Sequence, residues 1–138
     1  MSSEIHCFNK VKKDCLKFIK SQETKKEKFK NKERMLKSFL VPICFWIANK
    51  TKNKKPFFVG LAGGQGTGKT TTSSIIKIIL EKYFKLNVFK ISIDDFYKTR
   101  KERILLSKKI HPMLLTRGVP RTHEINMMLN FFKKVKNK

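Results

Sequence analysis

The chain has 138 residues, enough for one domain, and its 33 Lys and Arg against 10 Asp and Glu give a formal charge of +23. Its apolar fraction of 40% argues against a disordered chain, and its six Gly and four Pro exclude collagen-like or Pro/Gly-rich material. The longest nearly unbroken apolar stretch, residues 39–48, is shorter than the roughly 20 residues of a membrane helix, and the N-terminus shows no secretory signal pattern. We therefore expect no membrane partner.

The sequence favours ordinary structural roles for both the cysteines and the basic residues. Cys7, Cys15 and Cys44 form no CxxC pair, and Cys15 and Cys44 lie among apolar neighbours, so we expect small core hydrophobes in a reducing, cytoplasmic protein. Only five of the 33 basic residues are Arg, and the lysines are spread along the whole chain. This pattern favours a solvated Lys-rich surface over a dedicated nucleic-acid face, so a nucleic-acid partner is not favoured.

The first 55 residues are predicted to form a Lys-rich helical extension. Residues 8–20 have apolar side chains at helical spacing, whereas residues 21–34 are nearly all polar and fit an exposed helix or a flexible connection. The helical stripe resumes at residues 35–40, and Pro42 ends or kinks that helix while suiting the first turn of a new one.

Residues 56–138 show a different pattern. The apolar run at residues 57–62 predicts a buried strand, the wide apolar face of residues 69–84 predicts a helix, and residues 88–93 predict a second strand. A strand, a helix and a strand in succession form a βαβ unit, which predicts an α/β fold with a parallel sheet. Beyond them, residues 100–109 and 123–135 are predicted helices.

A phosphate-binding motif lies between the first predicted strand and its helix. The residues from Gly63 to Thr70 fit G-x-x-x-x-G-K-[ST], in which backbone N–H groups and a helix N-terminus bind phosphate oxygens. Lys69 is expected to reach the β- and γ-phosphates, and the Thr70 hydroxyl to bind Mg²⁺. The predicted nucleotide-binding residues are Gly63, Gly64, Gln65, Gly66, Thr67, Gly68, Lys69, Thr70 and Thr71.

Two carboxylates, Asp94 and Asp95, follow the second predicted strand. In an open parallel sheet this edge lies beside the phosphate loop, so one carboxylate is expected to accept a proton from a substrate hydroxyl or to hold Mg²⁺ through water. Alternation along a strand would point the two side chains to opposite sides. A basic, turn-rich stretch then begins at His111, in which Arg117 would suit an anionic substrate, whereas His123 and its neighbours lack the further ligands of a metal site.

The sequence resembles a known group of kinases. AGGQGTGKTTTSS at residues 62–74, ISIDDFYKT at 91–99, HPMLL at 111–115 and RGVPRTHE at 117–124 are similar to the P-loop kinases of the phosphoribulokinase, uridine kinase and pantothenate kinase group. The nearest resemblance is to the plant-type glycerate kinases and their ATP-binding kinase-like relatives, whose helical lead-in is similar to residues 40–50.

This resemblance implies a P-loop NTPase-type sheet and transfer of the γ-phosphate of ATP, with Mg²⁺, to a hydroxyl of an organic acid such as glycerate. Lys69 and Asp94 would be catalytic, and Thr70 and Asp94 would hold the metal. The implied substrate-binding residues are Asp95, Tyr97, Arg117, Thr122 and His123. Arg121 stands where the family usually has Gly, and Glu124 where it usually has Asp.

The same resemblance predicts that further strands and a lid follow residue 138, so the chain looks truncated. The apolar faces of helix 69–84 and strand 88–93 are then expected to lack partners, and the isolated chain to bind nucleotide weakly and turn over poorly. A pantothenate- or nucleoside-type kinase, a nucleotide-dependent RNA-binding or regulatory module and an inactive fragment remain alternatives. The oligomeric state stays open.

Overall fold

The computed structural model describes residues 3–51 and 55–137. The chain divides into two compact units, Met1–Lys90 and Ile91–Lys138. The domain boundary predicted between residues 55 and 56 adjoins the undescribed residues 52–54 and stays a prediction. None of the helices in the described ranges is long and apolar enough to cross a membrane.

The predicted α/β fold with a P-loop NTPase-type parallel sheet is wrong. Residues 3–51 and 55–137 form helices, turns and irregular segments, with no strand or sheet among them. The one β pairing in these ranges is an isolated antiparallel bridge between Tyr97 and His123. The expected helical segment before the phosphate loop is present.

Residues 3–51 and 55–90 of the first unit contain four α-helices and one π-helical turn. Its elements in chain order are α1 (Ser3–Ser21), α2 (Lys32–Met35), the π-helical turn (Leu36–Leu40), α3 (Val41–Lys50) and α4 (Lys69–Lys82). Pro42 lies in the first turn of α3, directly after the π-helical turn. Because proline has no N–H and crowds the carbonyl four residues earlier, the wider π-helical turn accommodates it without breaking the helix.

The core of the first unit is built from α1, the α2–α3 run and α4. The buried residues of α1 recur every four positions and form one stripe; they include Cys7, Val11, Cys15 and Ile19. Leu36, Leu40, Val41, Cys44 and Ile47 face this stripe, together with Ile75, Ile79 and Leu80 of α4. The expectation that helix 69–84 lacks partners is therefore wrong, because α1 and α3 cover its apolar face.

All three cysteines lie in this core, as predicted for Cys15 and Cys44. Loss of hydration on burial raises the pKa of the Cys7 thiol to about 11. The same cause raises the pKa values of Cys15 and Cys44 to about 12. The thiols therefore stay protonated and pack as small apolar groups.

The two segments predicted as strands contact helices instead of pairing with each other. Phe57 packs edge-to-face on Trp46 of α3, with ring centroids 6.0 Å apart. Two side chains of α4 contact the segment that follows it. Lys77 donates to the carbonyl of Val88, and the Ser74 hydroxyl accepts from Lys90, so residues 88–90 lie along α4. A buried parallel sheet needs neighbouring strands at the edges of each strand and helices on both faces. Without them the apolar side chains stay exposed, Phe89 to 80%.

The part of the second unit that the structure describes, residues 91–137, contains two longer helices and two 3₁₀ turns. They are a 3₁₀ turn (Ile93–Phe96), α5 (Arg100–Lys109), a second 3₁₀ turn (Pro112–Leu115) and α6 (Ile125–Lys136), so the predicted helices at 100–109 and 123–135 are present. Phe96 is buried against the rings of Phe131 and Phe132. Buried Arg103 ties α5 to its surroundings by donating to the carbonyls of Lys98 and Leu115.

Candidate nucleotide-binding site

The phosphate loop of residues 63–68 closes on the carbonyl of Gly64. The Thr67 hydroxyl donates to this oxygen at 2.8 Å, and the Thr67 N–H approaches it at 3.5 Å. Gly66 and Gly68 both have a φ of +78°, a conformation that costs other residues about 1–2 kcal/mol. The glycines at these two positions therefore permit the turn that carries the chain into α4.

The N-terminus of α4 has free hydrogen-bond donors. Gly68 is its N-cap, no side chain caps it, and its first turn bonds through the Thr72 N–H to the Gly68 carbonyl at 2.8 Å. The N–H groups just before Thr72 have no acceptor within the helix, and the helix dipole places partial positive charge there. This is the local arrangement that binds phosphate groups at helix N-termini.

Lys69 folds back over the loop. Its Nζ donates to the Gly64 carbonyl at 2.5 Å, and its aliphatic carbons lie 3.6 Å from where a Cβ on Gly63 would stand. The ammonium group of this first residue of α4 is thus held on the carbonyl of Gly64 in the loop. An anion that displaced the carbonyl of Gly64 would gain a charge-assisted hydrogen bond from Lys69.

The remaining predicted loop residues are accessible. Gln65 and Thr70 are exposed, and Thr71 is half-buried. The Thr70 hydroxyl makes no hydrogen bond among the described residues, whereas the Thr70 carbonyl accepts from Ser73 and Ser74 at 2.9 Å. A free hydroxyl oxygen beside a phosphate site suits Mg²⁺, which prefers oxygen ligands and phosphates. The described residues contain no group of three or more His, Cys, Asp and Glu that could hold a metal.

The two predicted carboxylates lie in the 3₁₀ turn of the second unit and have different surroundings. Asp95 accepts from the Ser92 N–H at 2.9 Å, and the Asp94 N–H donates to the Ser92 hydroxyl at 3.2 Å, which together make a capping box. The Asp94 carboxylate is exposed and has no hydrogen-bond partner in the described ranges. It is therefore the capping turn, not strand alternation, that separates the two side chains.

The predicted substrate-binding residues of the second unit include a stack of three side chains. The Tyr97 ring stacks on the His123 imidazole with centroids 4.0 Å apart, and the Arg117 guanidinium lies 5.4 Å from the Tyr97 ring centroid. The Nε2 atom of His123 is buried without a hydrogen-bond partner in the described residues. Thr122 is fully buried, and its hydroxyl donates to the Val119 carbonyl at 2.6 Å.

Arg121, at the position where the resembling family usually has Gly, adopts a φ of +73°. This is the left-handed conformation that glycine takes at little cost. The turn thus keeps a glycine-type backbone although the residue is Arg.

Sequence reasoning missed three residues that hold the second unit together. Ser92 forms the capping box, Lys98 pairs with Glu124 at 2.5 Å, and Arg103 is buried with its guanidinium on two carbonyls. The Ser92-x-x-Asp95 spacing was an available signal for the first. The other two depend on contacts with distant residues and have no local signal.

Comparison with curated proteins gives the family context. The chain is 38% identical over 85 residues to the uncharacterized kinase mug58 of Schizosaccharomyces pombe, a match that covers 58% of this chain and 30% of that protein. It is 37% identical over 83 residues to the probable ATP-dependent kinase TDA10 of Saccharomyces cerevisiae, covering 57% of this chain and 29% of that protein. The chain is related in sequence to kinases.

A third relative is the pantothenate kinase of Streptococcus suis, 33% identical over 92 residues, which cover 64% of this chain and 28% of the relative. The chain therefore spans less than a third of the length of the curated relatives it matches. No family model matches the chain, and no solved structure matches it significantly.

These relatives are named as kinases, which supports the predicted relationship to kinases. They do not support the nearer resemblance to glycerate kinases. The roles assigned to individual site residues stay predictions.

Proposed function

We propose that this chain carries the ATP-binding loop of a small-molecule kinase. The observation that supports it best is the position of Lys69, whose ammonium lies on the loop beside the uncapped N-terminus of α4. Backbone donors, a helix dipole and a cation converge there on one exposed loop, and together they suit a polyphosphate. The kinase relatives support ATP as the phosphate donor.

The proposed reaction is transfer of the γ-phosphate to a substrate hydroxyl. The hydroxyl oxygen bonds to the γ-phosphorus, the bond between that phosphorus and the leaving ADP oxygen breaks, and Asp94 takes the hydroxyl proton. Lys69 neutralises charge on the phosphates, and Thr70 is the proposed Mg²⁺ ligand, with the metal supplying further neutralisation when bound. Positioning and charge neutralisation supply most of the catalysis in this class of reaction.

For the acceptor we propose an organic hydroxy acid, with glycerate as the first compound to test. Arg117 is exposed and held over the Tyr97 ring, which leaves its guanidinium available for a carboxylate. Pantothenate is also a hydroxy acid, and the streptococcal relatives are named for it. A nucleoside such as uridine carries no carboxylate and should be the poorest acceptor.

The test has two steps. Calorimetric titration of MgATP should give saturable binding to the chain and at least tenfold weaker binding to Lys69→Ala, while Lys17→Ala, an exposed change on α1, leaves it unaltered. Radiolabelled ATP is then supplied with glycerate, pantothenate or uridine, and the labelled product is measured. Equal MgATP affinity in all three proteins would refute the proposal for the loop, and transfer to uridine alone would refute the proposed acceptor class.

A further inference from the structure

A cleft in the first unit lies away from the phosphate loop. It has a volume of about 530 Å³ and is formed by the C-terminal part of α1 and the segment that leads into α2. Its apolar lining is Leu16 and Phe29, and its polar lining consists of three cations, one amide and one carboxylate: Lys20, Lys32, Arg34, Asn31 and Glu33. A volume of this size accommodates a small organic ligand such as one nucleotide unit.

Two acidic side chains at this cleft, Glu23 and Glu33, are paired with lysines. Glu33 lies 2.8 Å from Lys12, and Glu23 lies 2.6 Å from Lys32 while also accepting from the Phe29 N–H. Lys20 and Arg34 form no ion pair among the described residues. The cleft therefore has two cations without an ion-pair partner in the described residues, and it suits an anion.

The bottom of the cleft is apolar and firmly supported. Leu16 and Phe29 both pack against the core of the first unit while also lining the cleft. An aromatic ring fixed in this way offers a surface on which a planar, uncharged group can lie. Base–aromatic contacts of this kind stabilise single-stranded nucleic acids on proteins by about 1–3 kcal/mol per base.

The segments beside the cleft extend its positive charge. Lys25, Lys26, Lys28 and Lys30 are exposed along the chain that leads to Phe29 and α2. Residues 10–34 contain eleven Lys and Arg against four Asp and Glu. A polyanion that occupied the cleft would thus meet further cations on both sides of Phe29, which a single small anion would not need.

We propose that this cleft binds single-stranded nucleic acid, with one base on Phe29 and the adjoining phosphates on Lys20 and Arg34. The combination of an aromatic surface with unpaired cations favours this partner over an anionic lipid surface, whose headgroups offer no base to lie on Phe29. The Lys-rich composition alone did not favour such a partner, but the paired acids and the aromatic lining define a particular site. The proposal is independent of the phosphate loop.

The test is fluorescence anisotropy with a labelled ten-nucleotide oligouridylate and the full chain. The double variant Lys20→Ala/Arg34→Ala should weaken binding at least tenfold and reduce the slope of log K against log salt by about 1.4, at about 0.7 per lost phosphate contact. The matched control Lys133→Ala/Lys134→Ala removes the same charge from α6 and should change the affinity less than threefold. Phe29→Leu, which keeps an apolar core side chain, should weaken binding about fivefold or more.

Several outcomes would overturn the proposal. One is an equal loss of affinity in the two double variants, which would mean that overall charge alone attracts the oligonucleotide. Another is competition by polyglutamate as effective as that by unlabelled oligouridylate. Binding to vesicles with phosphatidylserine but not to the oligonucleotide would also refute it. Lys69→Ala should retain oligonucleotide binding, so failure of this proposal and of the kinase proposal can be distinguished.

Discussion

The Nζ atom of Lys69 donates a hydrogen bond to the carbonyl oxygen of Gly64, 2.5 Å away, and the Thr67 hydroxyl donates to the same oxygen. The backbone carbonyl thus holds the ammonium on the loop, and in the proposed site the phosphates of ATP would take the place of this carbonyl. Lys69→Arg should retain part of the MgATP affinity, because the charge remains, whereas Lys69→Ala should lose at least tenfold, about 1.4 kcal/mol. Calorimetric titration measures both. Equal losses for Arg and Ala would contradict a role based on charge.

Gly68→Ala should weaken MgATP binding at least tenfold and lower the melting temperature. Its φ of +78° lies in the left-handed region, so a Cβ there costs about 1–2 kcal/mol and disturbs the start of α4. Gly60→Ala is the matched control, because a Cβ at Gly60 meets nothing within 4 Å and its φ is unrestricted. Calorimetry measures the MgATP affinity of both variants, and thermal unfolding measures their melting temperatures. Equal changes in the two variants would contradict the assigned loop geometry.

Asp94→Asn should reduce phosphoryl transfer, whereas Asp95→Asn should reduce stability. Asp95 accepts the Ser92 N–H in the capping box, so its change should lower stability by about 0.5–2 kcal/mol. The Asp94 carboxylate has no such structural bond in the described ranges, so Asp94→Asn should leave stability unchanged and reduce phosphoryl transfer at least a hundredfold. Urea unfolding and the transfer assay provide the two readouts. A large loss of stability in Asp94→Asn would argue against its catalytic assignment.

Arg121→Gly should stabilise the chain. Arg121 has a φ of +73°, and relief of this conformation should outweigh the greater flexibility of glycine by about 0.5–1 kcal/mol. Arg117→Gly, in the same stretch, is the control: it loses the contact with the Tyr97 ring and should not stabilise. Urea unfolding measures both changes, and a destabilised Arg121→Gly would show that the arginine side chain stabilises the turn.

The buried cysteines should make the stability fall in alkali. Unfolded thiols ionise near pH 8.5–9, but burial raises the pKa to about 11 for Cys7 and about 12 for Cys15 and Cys44. The folded state therefore keeps protons that the unfolded state releases, and the free energy of unfolding decreases as pH rises above about 9. Urea unfolding from pH 8 to 10 measures the slope.

Cys44→Ala provides the control for this slope. It should lower stability at pH 8 through lost packing but reduce the alkaline slope by about a third, since one of three thiols is removed. Dithionitrobenzoate should react slowly with the folded chain and rapidly in urea. A fast reaction of the folded chain at pH 8 would contradict burial of these thiols.

The local features of the candidate site could be predicted from the sequence. The glycine positions, the lysine and the helix that starts at Lys69 all lie within a few residues of one another, so backbone conformation and helix dipole are fixed by local preference. The helices at 8–20 and 123–135 likewise followed from the spacing of apolar residues, and the structure contains the helices Ser3–Ser21 and Ile125–Lys136 there. Periodicity reports which face a helix buries.

Which elements become neighbours could not be predicted in this way. The apolar segments at 57–62 and 88–93 have the composition of strands. A strand also needs a partner strand at hydrogen-bonding distance, and the composition of a segment does not predict which segment will pair with it. Phe57 contacts Trp46, and Lys77 holds the chain at Val88, so contacts with helices replaced the sheet.

By itself, the sequence determined the phosphate-binding motif, the kinase relationship and the main helices, because each depends on residues close together in the chain. Only the tertiary structure decided that α4 packs on α1 and α3, and that Lys20 and Arg34 lie beside Phe29 without an ion-pair partner in the described residues. These outcomes depend on burial and on pairing between residues that are distant in the chain, and local conformational preferences do not predict such contacts.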